Sequence, residues 1–95
     1  MPAQSEQARA GYVLLGNAEA SRGRLDQAVS AWQEALAAHF EATLAAETAE
    51  AMSEVAGHVP PEAAALFRRA LAAAPADAPW RGLAEQRLAQ AAKQP

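Results

Sequence analysis

The sequence predicts an all-α chain, a stack of antiparallel helix pairs closed by a capping helix, on three observations. Twenty-nine of its 95 residues are alanine, the strongest helix former and a poor strand residue. Apolar residues recur at helical spacing in segments parted by Gly and Pro. No Asn-Gly or Asp-Gly pair and no run of alternating β-branched residues marks a hairpin.

The first predicted helix runs from about Ser5 to Arg22, with Ser5 as N-cap and Glu6 in the first turn. Tyr12, Leu15 and Glu19 lie at i, i+3 and i+7 beside Gly16, and Gly23 closes the helix in the left-handed conformation. The second spans about Leu25 to Ala38. Its stripe of Leu25, Ala28, Val29, Trp32, Ala35 and Leu36 faces inward. The two or three residues between these helices force them antiparallel. The third, about Glu41 to Ala56, is the least patterned, with Leu44, Thr48, Ala51, Met52 and Val55 in line and Gly57 at its end. The fourth opens at Pro60-Pro61-Glu62, where proline costs no hydrogen bond. It turns Ala63, Leu66, Phe67, Ala70 and Leu71 inward and stops at Pro75. The last follows Asp77 as N-cap, with Trp80, Leu83, Ala84, Leu88 and Ala91 on one face.

A chain of this length forms one small domain that buries somewhat over ~60% of its unfolded surface. With two Phe, one Tyr and two Trp, the core is built from short side chains. Eight basic and eleven acidic residues are interspersed for a net charge of −3, so no basic stripe points to nucleic acid. The absence of cysteine excludes disulfides, thiolate metal sites and a cysteine nucleophile, without deciding the compartment. No signal peptide and no apolar run near ~18 residues is found, so no membrane span is expected in this chain. The Met1-Pro2 start and the Lys93-Gln94-Pro95 end read as frayed tails or as the edges of a domain cut from something longer.

The helices pair off, which is the mark of a repeat. Residues 9–42 resemble a tetratricopeptide repeat, a 34-residue helix–turn–helix. Tyr12, Leu15, Gly16, Ala28, Trp32 and Ala35 fall at six of its pattern positions. Gly16 and Ala28 would let the two backbones approach, with Trp32 and Tyr12 filling the space toward the next helix. Phe40 stands where the pattern often has Pro, and Glu19 where it often has an aromatic residue. Residues 43–76 resemble a degenerate second repeat that keeps Phe67, Ala70, Leu71 and Pro75, and residues 77–92 resemble the solvating cap of such arrays. A narrower resemblance rests on GYVLLGNAEASRGRLDQA and on ALFRRALAAAPADAPWRGLAEQRLAQ. These are similar to the tetratricopeptide domains of bacterial c-type cytochrome maturation factors. That resemblance implies a domain on the periplasmic side of the inner membrane that chaperones apocytochrome c by holding its C-terminal helix. Members of that family are usually membrane-anchored. A cytoplasmic scaffold for an unrelated partner is the other location this reading leaves open.

The concave face of such a stack would carry Val13, Leu14, Asn17, Ala20 and Ser21 from the first helix. Leu44, Glu47, Thr48 and Ala51 would follow from the third, and Gly82, Gln86 and Ala89 from the last. The expected occupant is an amphipathic helix of a protein partner. On this reading Leu14→Glu or Leu44→Glu weakens binding without unfolding the domain. The four successive apolar residues Tyr12 to Leu15 cannot all hide on one helix face. Contact with a neighbouring repeat or a second protomer is therefore the alternative, and homodimerisation would supply the neighbour that a barely two-repeat array lacks.

Asn17 matches the Asn of domains that clamp a C-terminal carboxylate, but Val13 replaces their Lys, and Glu47 and Ala51 replace basic residues in the second repeat. The clamp is absent, and Asn17 is expected to touch a partner backbone or water. His39 and His58 lie apart at helix ends, with no grouped ligands for a metal. Glu47, Glu50 and Glu54 read as a wet helix face. No nucleophile–base pair can be named, so neither an enzyme nor a cofactor is expected.

Overall fold

The computed structural model describes residues 2–94, with side chains from Ser5 onward. Among the described residues it is all-helical: α1 (Pro2–Ser21), α2 (Leu25–Ala38), α3 (Ala42–Ala56), α4 (Pro61–Ala73) and α5 (Arg81–Lys93). The chain divides into two compact units, residues 1–41 and 42–95. In unit 1, α1 packs antiparallel on α2. In unit 2, α3 packs on α4 and α4 on α5. None of the helices is long and apolar enough to cross a membrane.

Glycine ends two helices as its conformational freedom requires. Gly23 and Gly57 both have φ of 78°, a region that costs other residues a clash with their own Cβ. After α1, the Gly23 N–H donates to the Ala20 carbonyl at 3.0 Å and the Arg24 N–H to the Glu19 carbonyl at 2.9 Å. That is a complete Schellman cap, whose usual apolar contact between the two flanking side chains is replaced here by an ion pair. Arg24 Nη1 lies 3.7 Å from the Glu19 carboxylate, and Arg22 Nη1 lies 3.3 Å from it. Glu19 is buried beneath these exposed guanidinium groups. This is how the chain accommodates an acid in the last turn of α1.

The start signals were less reliable than the stops. Ser5 does not cap α1, because the helix begins at Pro2 and carries Ser5 within it, its Oγ 3.5 Å from His39 Nδ1. Asp77 does not cap α5 either. Two successive turns, closed by Ala78 N–H to the Pro75 carbonyl and Arg81 N–H to the Ala78 carbonyl, carry the chain past it, and Trp80 precedes the helix. The expectation of frayed ends fails at Lys93, which is helical, and at Gln94, which is hydrogen-bonded to Val59. For Met1 and Pro95 it lies outside the described residues.

The core of unit 2 centres on Phe67, only 1% exposed, packed with Ala49, Val59, Ala63, Ala64 and Ala84. Helix α3 looked unpatterned because it buries residues over a wide arc that includes Ala45, Ala46, Ala49 and Ser53. Its buried hydroxyls return to their own helix: Thr48 Oγ1 donates to the Leu44 carbonyl at 2.7 Å and Ser53 Oγ to that of Ala49 at 3.0 Å. Neither hydroxyl is left unpaired.

Candidate helix-binding site

Of the residues expected to line a groove, five belong to unit 1. Leu14 stands 70% exposed on α1, and Asn17 and Ser21 are exposed on the same helix, with Val13 and Ala20 half-buried. Leu15, 51% exposed, and the exposed Tyr12 lie around the helix from Leu14. They line a shallow cleft of roughly 470 Å³ with Glu19 and with Gln27, Ala31 and Glu34 of α2. Apolar surface therefore flanks α1 on two sides, because the side turned to α2 centres on the small Gly16. Tyr12 and Leu15, which share a stripe with Gly16 in the sequence, border that contact instead of filling it.

Asn17 has a partner that its sequence position did not suggest. The indole Nε1 of Trp32 donates to its Oδ1 at 3.3 Å. An indole N–H can only donate, so the carboxamide oxygen is turned to the ring and the NH₂ group points the other way. The same ring covers Gly16: a Cβ there would fall 2.9 Å from Trp32 Cε2 and closer still to Nε1 and Cδ1. Gly16 thus makes room for the indole of Trp32.

The other seven belong to unit 2, where the expectation of an apolar wall is corrected. Leu44, Thr48 and Ala51 are buried, and Thr48 is fully inside. Glu47 and Gln86 remain at the surface, and both are polar. Gly82 and Ala89 are exposed but add almost no side chain. Leu44→Glu would place a charge in the interior and unfold the unit, so it cannot report on binding.

Glu50, read as part of a wet face, makes the strongest polar contact of unit 2. Arg87 Nε and Nη2 reach its two carboxylate oxygens at 2.7 and 2.8 Å, and Arg87 Nη1 donates to Gln90 Oε1 at 3.2 Å. The bond to Glu50 raises the Arg87 guanidinium above its ordinary value, against a smaller effect of burial. A raised value in the folded state adds stability that is complete below the ordinary arginine value and fades only in strongly alkaline solution. Both side chains are about three-quarters covered. A Glu50→Gln, Arg87→Met double-mutant cycle in urea is expected to return a coupling of about 1–2 kcal/mol that shrinks as salt is added.

Trp80 repeats the device of Trp32, its Nε1 donating to Thr43 Oγ1 at 3.1 Å. None of these pairings had a sequence signal, since the partners lie 15 to 37 residues apart. Among the described residues, no group of three or more His, Asp or Glu is placed to hold a metal ion. No protein-family model matches the chain, and no curated protein or solved structure matches it significantly.

Proposed function

We propose that this chain is a non-enzymatic adaptor that holds a helical segment of a partner protein. The observation that carries this reading is the uncovered apolar surface of α1, above all Leu14 at 70% exposure with Leu15 and Tyr12 beside it. Burying such side chains contributes roughly 1.5–3 kcal/mol each, and α1 is a regular helix against which another can lie. The polar groups beside them, Asn17 and Ser21, can orient the segment. In its finer form the proposal takes the occupant to be the C-terminal helix of an apocytochrome c, held on the periplasmic side of the bacterial inner membrane during heme attachment. Support for that form is the tetratricopeptide-like spacing of Tyr12, Leu15, Gly16, Ala28, Trp32 and Ala35 and the Ala78-Pro79-Trp80 opening of the last segment.

The test is titration of the chain with that helix as a synthetic peptide beside a scrambled control. Saturable binding of the first alone is expected, and equal behaviour up to high micromolar concentration would remove the finer form. Leu14→Glu is expected to weaken binding about tenfold or more while changing unfolding free energy by less than about 0.5 kcal/mol, as for other exposed positions. The same exposed residues favour a second reading, a homodimer joined through α1. Sedimentation velocity separates the two: a monomer at every concentration eliminates the dimer, and Leu14→Glu should dissociate one if it forms.

A further inference from the structure

Away from α1, unit 2 carries an open groove of about 710 Å³ between α4 and the C-terminal half of α5. Its floor is apolar: Pro61 and Ala64 on α4, Leu88 and Ala91 on α5, and Val59 just before α4. The groove is held in shape by Gln94. Its Nε2 donates to the Val59 carbonyl at 2.9 Å, and its Oε1 accepts the Val59 N–H at 2.9 Å. Val59 is buried, so without this clasp two main-chain groups would lack partners. The clasp ties the end of α5 to the start of α4.

Three properties narrow the occupant. The main-chain groups of Val59, on the floor of the groove, are both taken by Gln94, and Pro61 has no N–H. An extended peptide would bring amides that find no partners, whereas a helix satisfies its own. The groove is also open along its length, so a small aliphatic ligand would stay half wet, far from the burial such ligands reach in closed pockets. The third property is charge. Arg68 stands at the groove and, among the described residues, no carboxylate lines it, a local reversal of sign on a chain of net charge −3; Glu50 and Glu54 line the adjoining hollow beyond His58 and Val59. Glu62 and Lys93 beside it are of opposite sign, and Arg68 enters no ion pair among the described residues.

We propose that this groove docks an acidic amphipathic helix of a protein partner. The helix sets its apolar residues on the floor formed by Ala64, Leu88 and Ala91 and brings a carboxylate to Arg68. The inference rests on the adaptor reading but locates a docking site on unit 2 that does not need α1.

The experiment titrates the full chain calorimetrically with a synthetic helix of about 16 residues, with leucines at i, i+3 and i+7 flanked by glutamates. A twin carries lysine for every glutamate. The acidic helix is expected to bind and the lysine twin to bind about tenfold more weakly or worse. Arg68→Glu should reverse that preference, and Ala92→Trp, which fills the groove from an exposed lining position, should weaken both. Equal binding of the two helices, or binding untouched by Ala92→Trp, overturns the proposal. Binding lost in Leu14→Glu but unaffected by Arg68→Glu and Ala92→Trp overturns it while leaving the adaptor reading in place. No binding of either helix overturns the proposal, as does uptake of sodium decanoate alone, while the adaptor reading stands or falls on the separate peptide titration and Leu14→Glu.

Discussion

Gly16→Ala is expected to destabilise unit 1 by about 2–3 kcal/mol, a heavy loss for a single added methyl group in a helix, where alanine is normally the better residue. The methyl would fall within the indole of Trp32. That ring cannot swing aside freely, since its N–H is tied to Asn17. Gly11 on the same helix is the internal control. A Cβ there meets nothing within 4 Å, so Gly11→Ala should stabilise by up to about 1 kcal/mol from propensity alone. Urea unfolding followed by circular dichroism would show two glycine-to-alanine changes, five residues apart in the sequence, moving the midpoint in opposite directions. Trp32→Ala in the Gly16→Ala background should cost much less than in the parent, a non-additivity that identifies the ring as the obstacle. Equal midpoints for the two glycine variants would refute the account.

Phe67→Ala is expected to remove about 3–5 kcal/mol from unit 2, a large share of what holds a small domain folded. Phe67 is the largest wholly buried side chain among the described residues; the buried residues of its cluster are chiefly alanines, with Met52, Leu66, Leu71, Trp80 and Leu88 packed at the edge. The buried alanines have no side-chain torsion with which to lean into a void, so only the longer side chains at the edge of the cluster can refill part of it. Phe67→Leu should cost no more than about 1.5 kcal/mol, because most of the volume remains. A loss for Phe67→Ala under about 1 kcal/mol would mean that the ring is not the centre of this core.

Much of the architecture could be read from the residues alone because short-range rules governed it. Helix α2 occupies Leu25–Ala38 as its apolar stripe predicted. Both left-handed stops fell at glycine, where no other residue is comfortable. The starts expected from Ser5 and Asp77 failed, because a capping preference is worth only about 1 kcal/mol, whereas α4 opens at Pro61 as its prolines predict. Continued helix upstream of Ser5 and consecutive turns around Asp77 outweighed it. The site was less legible. Exposure of Leu14 followed from four apolar residues in a row, but burial of Leu44, Thr48 and Ala51 depended on how widely α3 is covered, which periodicity in an alanine-rich helix does not report. Pairings such as Glu50 with Arg87 join residues 37 apart, and charge type alone could not select one arginine from several.

The two indoles have one further use. Trp32 lies in one half of the chain and Trp80 in the other, each with its ring nitrogen held by one identified side-chain oxygen. The protein thus comes with a natural fluorophore for each half. Trp32→Phe and Trp80→Phe variants turn intrinsic emission into separate melting and docking records, without any dye attached.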